Sequence, residues 1–202
     1  MDLKRRLFLF HRRVVDRKEH GPLLACTRVA LALPAWAYGA AARLRNALYD
    51  RGILKEHRAN APVISIGNIT AGGTGKTPLV AWLVRLLAIH KTTPAVLSRG
   101  YGSDPETGVD DENEMLSHKM GRTSLHVNPD RVAGAAAAVQ DGADVLVLDD
   151  GFQHRRLARD LDVVLLDATR PFGGDWMLPR GHLREPLSGL DRVDFFVITR
   201  AN

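Results

Sequence analysis

The sequence predicts a protein of the α/β class, a mostly parallel sheet covered by helices. Two observations carry this. Short runs rich in Val, Ile and Leu alternate with helical patterns along residues 62–199 and show no polar face, as strands buried on both sides must. A glycine-rich turn falls between the first such run and the first such helix.

Ahead of that core, Lys4, Arg5, Arg6, Arg12, Arg13, Arg17 and Lys18 are interleaved with Leu7, Phe8, Leu9, Phe10, Val14 and Val15, making a basic, partly apolar arm. Residues 29–42 (VALALPAWAYGAAA) carry no charge, are fenced by Arg28, Arg43 and Arg45, and include Trp36 and Tyr38. The run is shorter than the roughly 18 apolar residues that cross a bilayer. Basic flanks and aromatics suit a helix lying in the headgroup region, each cation adding about 1 kcal/mol of attraction near an anionic surface. A helix packed on the domain is the alternative. A signal peptide is disfavoured, because the basic start is too long and Arg28 interrupts it.

In the core, residues 62–67 (PVISIG), 94–98 (PAVLS), 144–150 (DVLVLDD), 162–167 (DVVLLD) and 193–199 (VDFFVIT) read as strands, and residues 78–88 and 129–140 as helices. A polar, acidic loop spans residues 101–113. With 202 residues the chain can bury one substantial core plus a small extra element. Its net charge of +5 favours anionic partners without choosing among them. A single cysteine, Cys26, excludes an internal disulfide and is expected to be a buried, inert thiol.

The turn after the first strand reads NITAGGTGKT, residues 68–77. Its end matches the phosphate-loop pattern G-x-x-x-x-G-K-S/T, with Thr70 where the first glycine belongs, so the loop should depart from the commonest geometry. Strand, glycine turn and helix together are the context that makes such a match credible, and they point to a P-loop NTPase-like sheet. Backbone N–H groups from Thr70, Ala71, Gly72, Gly73, Thr74 and Gly75 would cradle phosphate, helped by the following helix N-terminus. Lys76 would reach the β and γ phosphates of a nucleotide and the Thr77 hydroxyl would hold Mg²⁺, while Pro78 fits the first helical turn. The run 145–150 ends in Asp149 and Asp150 at a strand tip, where ligands gather in open α/β sheets. Asp149 is the expected metal-side carboxylate, with Asp150 sharing that role or orienting water.

Together PVISIGNITAGGTGKTPLV, SRGYG, NPDRVAGA, LDDGFQHRRLARDLDVVLLD, LPRGHLREPLSGL and RLRNALYDRGIL closely resemble the tetraacyldisaccharide 4′-kinases, the lipid A 4′-kinases of Gram-negative envelopes. The matches run colinearly from about residue 38 to 199. The resemblance implies transfer of the ATP γ-phosphoryl group to the 4′-hydroxyl of a tetraacylated glucosamine disaccharide 1-phosphate, with Mg²⁺, at the cytoplasmic face of the bacterial inner membrane. A substrate with four acyl chains stays in the bilayer, so the arm would dock the enzyme on that surface.

The same resemblance assigns Asp111 as the group that takes the 4′-hydroxyl proton, paired with Glu112, with Asp110 competing for the role. It makes Arg131 a phosphate contact, the alternative being a surface ion pair with Asp130. Tyr101, Arg184 and Glu185 fall at substrate or active-site positions, and Gln153 and His154 follow the strand-tip aspartates closely enough to enter the site. We expect residues 1–58 to form the arm and residues 59–202 a kinase domain, monomeric and with no nucleic-acid partner. Residues 101–111 are shorter than the family's insertion there, and the family's C-terminal domain has no counterpart. A truncated, non-catalytic, membrane-associated nucleotide-binding module is therefore the competing expectation. A GTP switch is disfavoured, because no N-K-x-D element is present.

Overall fold

The computed structural model describes residues 10, 13–15, 21–100 and 123–201. Six strands form one sheet: β1 (Val63–Gly67), β2 (Pro94–Ser98), β3 (Ser124–Val127), β4 (Val145–Asp149), β5 (Leu161–Asp167) and β6 (Phe195–Thr199), in the spatial order β3-β2-β4-β1-β5-β6. Every pairing is parallel, as the apolar runs predicted. All five residues of β2 are buried, whereas β6 at the edge leaves Phe195, Phe196 and Ile198 exposed.

Helices cover both faces. On one, α3 (Lys76–Ile89) buries Val80, Ala81 and Val84 against Ile66, Val96, Val147 and Leu165. On the other, α4 (Arg131–Gln140) lays Ala135 and Ala138 on Leu146 and Leu148, and a second cluster of Ile69, Phe152, Val164, Met177 and Leu183 continues that layer. Alternate β4 and β5 residues enter opposite clusters, which is the period-two geometry of a strand buried on both sides. A short 3-10 helix, Leu187–Arg192, leads into β6.

Elements differ from expectation in four places. β3 has only four residues and a half-exposed pattern at the sheet edge, so its apolar content is too low to show as a strand in sequence. α3 begins at Lys76, two residues before Pro78, because Gly75 takes a left-handed conformation and turns the chain directly into the helix. The arm is more helical than its uncharged run implies: α1 (Pro22–Ala30) and α2 (Ala32–Asp50) adjoin through Leu31 alone. Residues 22–50 are thus long and apolar enough to cross a membrane by length and composition, though only 11% of the most apolar stretch is buried in the fold. Arg28, Arg43 and Arg45 continue the helix because arginine is a good helix former. Finally, Cys26 is exposed, not buried, since α1 places no residue in the core.

Candidate functional site

The phosphate loop, the tip of β4 and the start of α4 line one cleft of about 780 Å³ at the C-terminal ends of β1, β2 and β4. The loop bends where glycine alone is comfortable, with φ of +129° at Gly72 and +88° at Gly75. Thr70, standing in for the first glycine, does not need a positive φ. It is nearly buried and bridges to Leu183 in an antiparallel pairing, while the Ala71 N–H donates to the His182 carbonyl at 2.7 Å and the Arg184 N–H to the Ile69 carbonyl at 2.7 Å. The segment around Leu183 therefore splints the entry to the loop from outside.

Lys76 opens α3 with its ammonium folded across the loop. It donates to Asn68 Oδ1 at 3.2 Å and lies 3.5 Å from Asp150 Oδ1. Asn68 is fully buried and donates from Nδ2 to the Thr70 carbonyl at 2.8 Å, so one side-chain amide ties the loop backbone to the lysine. Thr77 lines the cleft beside it.

At the tip of β4, Asp149 and Asp150 enter the cleft. Asp150 has φ of +50°, a conformation that aspartate tolerates better than most side chains. Both its carboxylate oxygens accept from Arg184 Nη1, at 3.0 and 2.9 Å. Arg131 is 4% exposed and donates from Nη2 to the Asp149 carbonyl at 3.1 Å, while its Nη1 is buried with no protein partner among the described residues. Burial lowers its pKa from the ordinary guanidinium range to about 10, opposed by Asp149 and Asp150, and the group stays cationic at neutral pH. A desolvated guanidinium that lines a cleft and keeps a donor group unpaired is suited to receive an anion. The alternative surface ion pair of Arg131 with Asp130 does not form. Asp130 instead caps α4 by accepting from the Val132 and Ala133 N–H groups, and pairs with Arg156.

Gln153 donates from Nε2 to the Asn68 carbonyl at 2.8 Å, and its own carbonyl accepts from Arg45 Nη2. Burial pushes the His154 imidazole from its ordinary 6.5 down to about 4, with Arg131, Arg159, Arg45 and Arg156 adding to the shift, so it is neutral near pH 7.

A model of the tetraacyldisaccharide-1-P 4′-kinases matches residues 27–202. The chain belongs to that family. It is 46% identical to the tetraacyldisaccharide 4′-kinase of Anaeromyxobacter dehalogenans (strain 2CP-C), over 92% of this chain and 53% of that protein. It is 44% identical to that of Chlorobaculum parvum, over 81% of this chain and 50% of the relative. The chain thus spans about half the length of the curated relatives it matches. A crystal structure of LpxK from Aquifex aeolicus in complex with ATP superimposes with a TM-score of 0.79 at 34% identity, covering 86% of this chain and 59% of that one.

Against the sequence expectations for a tetraacyldisaccharide 4′-kinase, the fold draws Ala71 through Thr77, Arg131, Asp149, Asp150, Gln153, His154 and Arg184 together in the one cleft. Tyr101, Asp111 and Glu112 lie outside the described residues, as does the competing Asp110. Glu185 does not fit its expected substrate-contacting role. It is 1% exposed and accepts from Asn46 Nδ2 at 2.6 Å and from Arg192 Nη2 at 3.1 Å, which makes it an internal clamp between α2 and the 3-10 helix. A carboxylate so enclosed needs hydrogen-bonded partners of opposite charge or polarity, and Asn46 and Arg192 both serve its Oε1. Arg99 lines the cleft without a role assigned from the sequence, Arg45 lines it where the sequence made it only a basic flank of the arm, and the buried Asn68 braces the loop from beneath. Asn68 alone carried a signal, being a buried-strand neighbour immediately before a glycine turn.

Proposed function

We propose that the chain is the nucleotide-binding part of a kinase that moves the γ-phosphoryl group of ATP to the 4′-hydroxyl of a tetraacylated disaccharide 1-phosphate. The observation that carries this reading is the convergence of the Lys76 ammonium, the Arg131 guanidinium with its unsatisfied end, and two strand-tip carboxylates on one glycine-lined cleft. Phosphoryl transfer asks the protein mainly for positioning and charge neutralisation, and those groups supply both.

Among the described residues no cluster of three or more His, Cys, Asp or Glu side chains gathers. Thr77 and Asp149 nevertheless offer hard oxygen donors to the same cleft, which suits Mg²⁺, an ion that keeps several waters and shares phosphate oxygens with its nucleotide. When bound, the ion would neutralise charge between the β and γ phosphates. In the transfer itself, Asp111 takes the 4′-hydroxyl proton with Glu112 beside it. The sugar oxygen bonds to the γ-phosphorus, the bond from that phosphorus to the bridging oxygen breaks, and ADP leaves. Lys76 and Arg131 hold the phosphate oxygens, and Arg184 keeps Asp150 in place beside Lys76.

The acceptor's acyl chains place the reaction at a lipid surface, and the reading extends to the cytoplasmic face of the bacterial inner membrane. Residues 1–58 serve as the lipid-facing arm and residues 59–202 as the kinase domain. In support, Leu23, Val29, Leu33, Trp36 and Leu44 on α1 and α2 are all at least 61% exposed. The C-terminal half of α2 is fastened to the domain: Arg155 Nη1 donates to Asp50 Oδ1 at 2.7 Å and to the Asn46 carbonyl at 3.3 Å. A helix whose C-terminal half is bonded to the folded domain lies on a bilayer more readily than across it.

Calorimetric titration with Mg·ATP tests the first step. Lys76→Ala should weaken binding by about tenfold to a hundredfold, the range expected for a lost hydrogen bond to a charged group. Formation of 4′-phosphorylated product from tetraacyldisaccharide 1-phosphate in mixed micelles, abolished by Asp111→Asn, tests the second. Nucleotide bound without product would remove the transfer step and leave the binding module.

A further inference from the structure

Arg45 reaches the cleft from outside the nucleotide-binding elements. It sits on α2, and its guanidinium passes from that helix to the cleft wall, where Nη2 donates to the Gln153 carbonyl. Its Cζ lies 5.7 Å from the centre of the Tyr49 ring one turn along the helix. An arginine carries five N–H donors in a rigid fork. Among the described residues, the Gln153 carbonyl is the one hydrogen-bond acceptor that Arg45 has. The side chain is half-buried, and the helix under it cannot swing, because Asn46 bonds Glu185 and Arg155 bonds Asp50.

Holding a carbonyl does not call for a full charge, and a charge is badly placed here unless an anion arrives. Lys76, Arg99, Arg131 and Arg184 line the same cleft, against two carboxylates, Asp149 and Asp150. Asp150 is already engaged by Arg184 and lies within 3.5 Å of Lys76. A further half-buried guanidinium adds repulsion and desolvation cost unless its remaining donors meet a ligand of opposite sign. The positive charge of Arg45 is also among the influences that keep neighbouring His154 neutral, consistent with its standing inside the site.

We propose that Arg45 is a phosphoryl-binding residue of this cleft, its free N–H groups donating to phosphate oxygens that Lys76 and Arg131 do not cover. The inference rests on the kinase reading above and deepens it. Two sources share this chemistry. One is the terminal phosphate of the nucleotide. The other is a phosphate monoester on a lipid headgroup, which α2 would meet because its outer flank presents Leu33, Trp36 and Leu44.

Arg45→Gln, Arg45→Lys and Arg45→Ala, with melting temperatures recorded for each, distinguish the sources in two arms. In the first, calorimetry gives the affinity for Mg·ATP and for Mg·ADP. In the second, cosedimentation compares phosphatidylcholine vesicles containing phosphatidic acid, a phosphate monoester, with vesicles containing the same mole fraction of phosphatidylglycerol, a diester. The expected result is a loss of about tenfold or more in either the ATP-over-ADP ratio or the monoester preference, partly restored in the lysine variant. Such ratios are insensitive to a general loosening of α2, so a variant that merely melts earlier is still informative. Ratios unchanged in both arms for Arg45→Gln would overturn the assignment while leaving the kinase reading intact. Failure of the unsubstituted protein to bind Mg·ATP would instead remove that reading and this one together.

Discussion

His154 illustrates how one side chain in this cleft reports its surroundings. Burial and four neighbouring guanidinium groups hold its pKa near 4 against an ordinary 6.5. The native imidazole therefore takes no proton until the pH approaches 4, whereas the unfolded chain takes one near 6.5. Neutrality at this position contributes stability that is complete above pH 6.5 and is lost as the pH falls from there towards about 4. Urea unfolding measured across that window should show falling stability, and His154→Gln should flatten the slope there. A slope unchanged by the substitution would show that the imidazole charges freely in the native state. The acid limb below it belongs to carboxylates such as Asp130 and Asp167, held under their ordinary 3.8 chiefly by a backbone hydrogen bond from Ala133 and a side-chain hydrogen bond from Thr169, respectively.

Among the elements, β1 and the turn after β4 meet most tightly at Gly67. A Cβ there would stand 2.6 Å from the Cβ of Phe152 and 2.8 Å from its backbone nitrogen, and Phe152 is completely buried. Gly67 is thus required for space, not for an unusual dihedral angle. Gly67→Ala should lower the unfolding free energy by about 1–3 kcal/mol, as overpacking does in close-packed interiors, and urea titration would read it directly. Unchanged stability would mean that the turn gives way. This contact also marks the limit of what sequence could disclose. The runs VISIG, PAVLS and VLVLD were legible as strands because both faces are apolar, and Gly-Lys-Thr was legible as a phosphate site because backbone geometry imposes its residue types. Glu185 and Arg45 were not. Whether a charged side chain faces a cleft or a clamp depends on partners more than a hundred residues away, Asn46 for the one and Gln153 for the other. The burial of Arg131 was hidden for a local reason, since its companion Asp130 offered an equally good surface partner and instead caps the helix.

On the scale of the whole molecule, apolar and cationic surfaces are segregated. The α1–α2 flank exposes Trp36 at 70% and Leu33 at 74%, while the cationic cleft opens beside the other flank of α2, where Arg45 enters. Vesicles containing anionic lipid should therefore sediment the protein, and Trp36→Asp with Leu33→Asp should reduce the bound fraction several-fold while circular dichroism stays unchanged, because neither residue supports the core. Equal binding by the double variant would move the lipid-facing surface elsewhere. The crowding of Arg45, Lys76, Arg99, Arg131 and Arg184 around two carboxylates has one more consequence, for anyone handling the protein. Any small tetrahedral oxyanion that settles among those cations relieves their repulsion, and by mass action it raises the melting temperature. In phosphate or sulfate buffer a nucleotide titration thus measures the eviction of a squatter, and an intrinsic affinity calls for a zwitterionic medium.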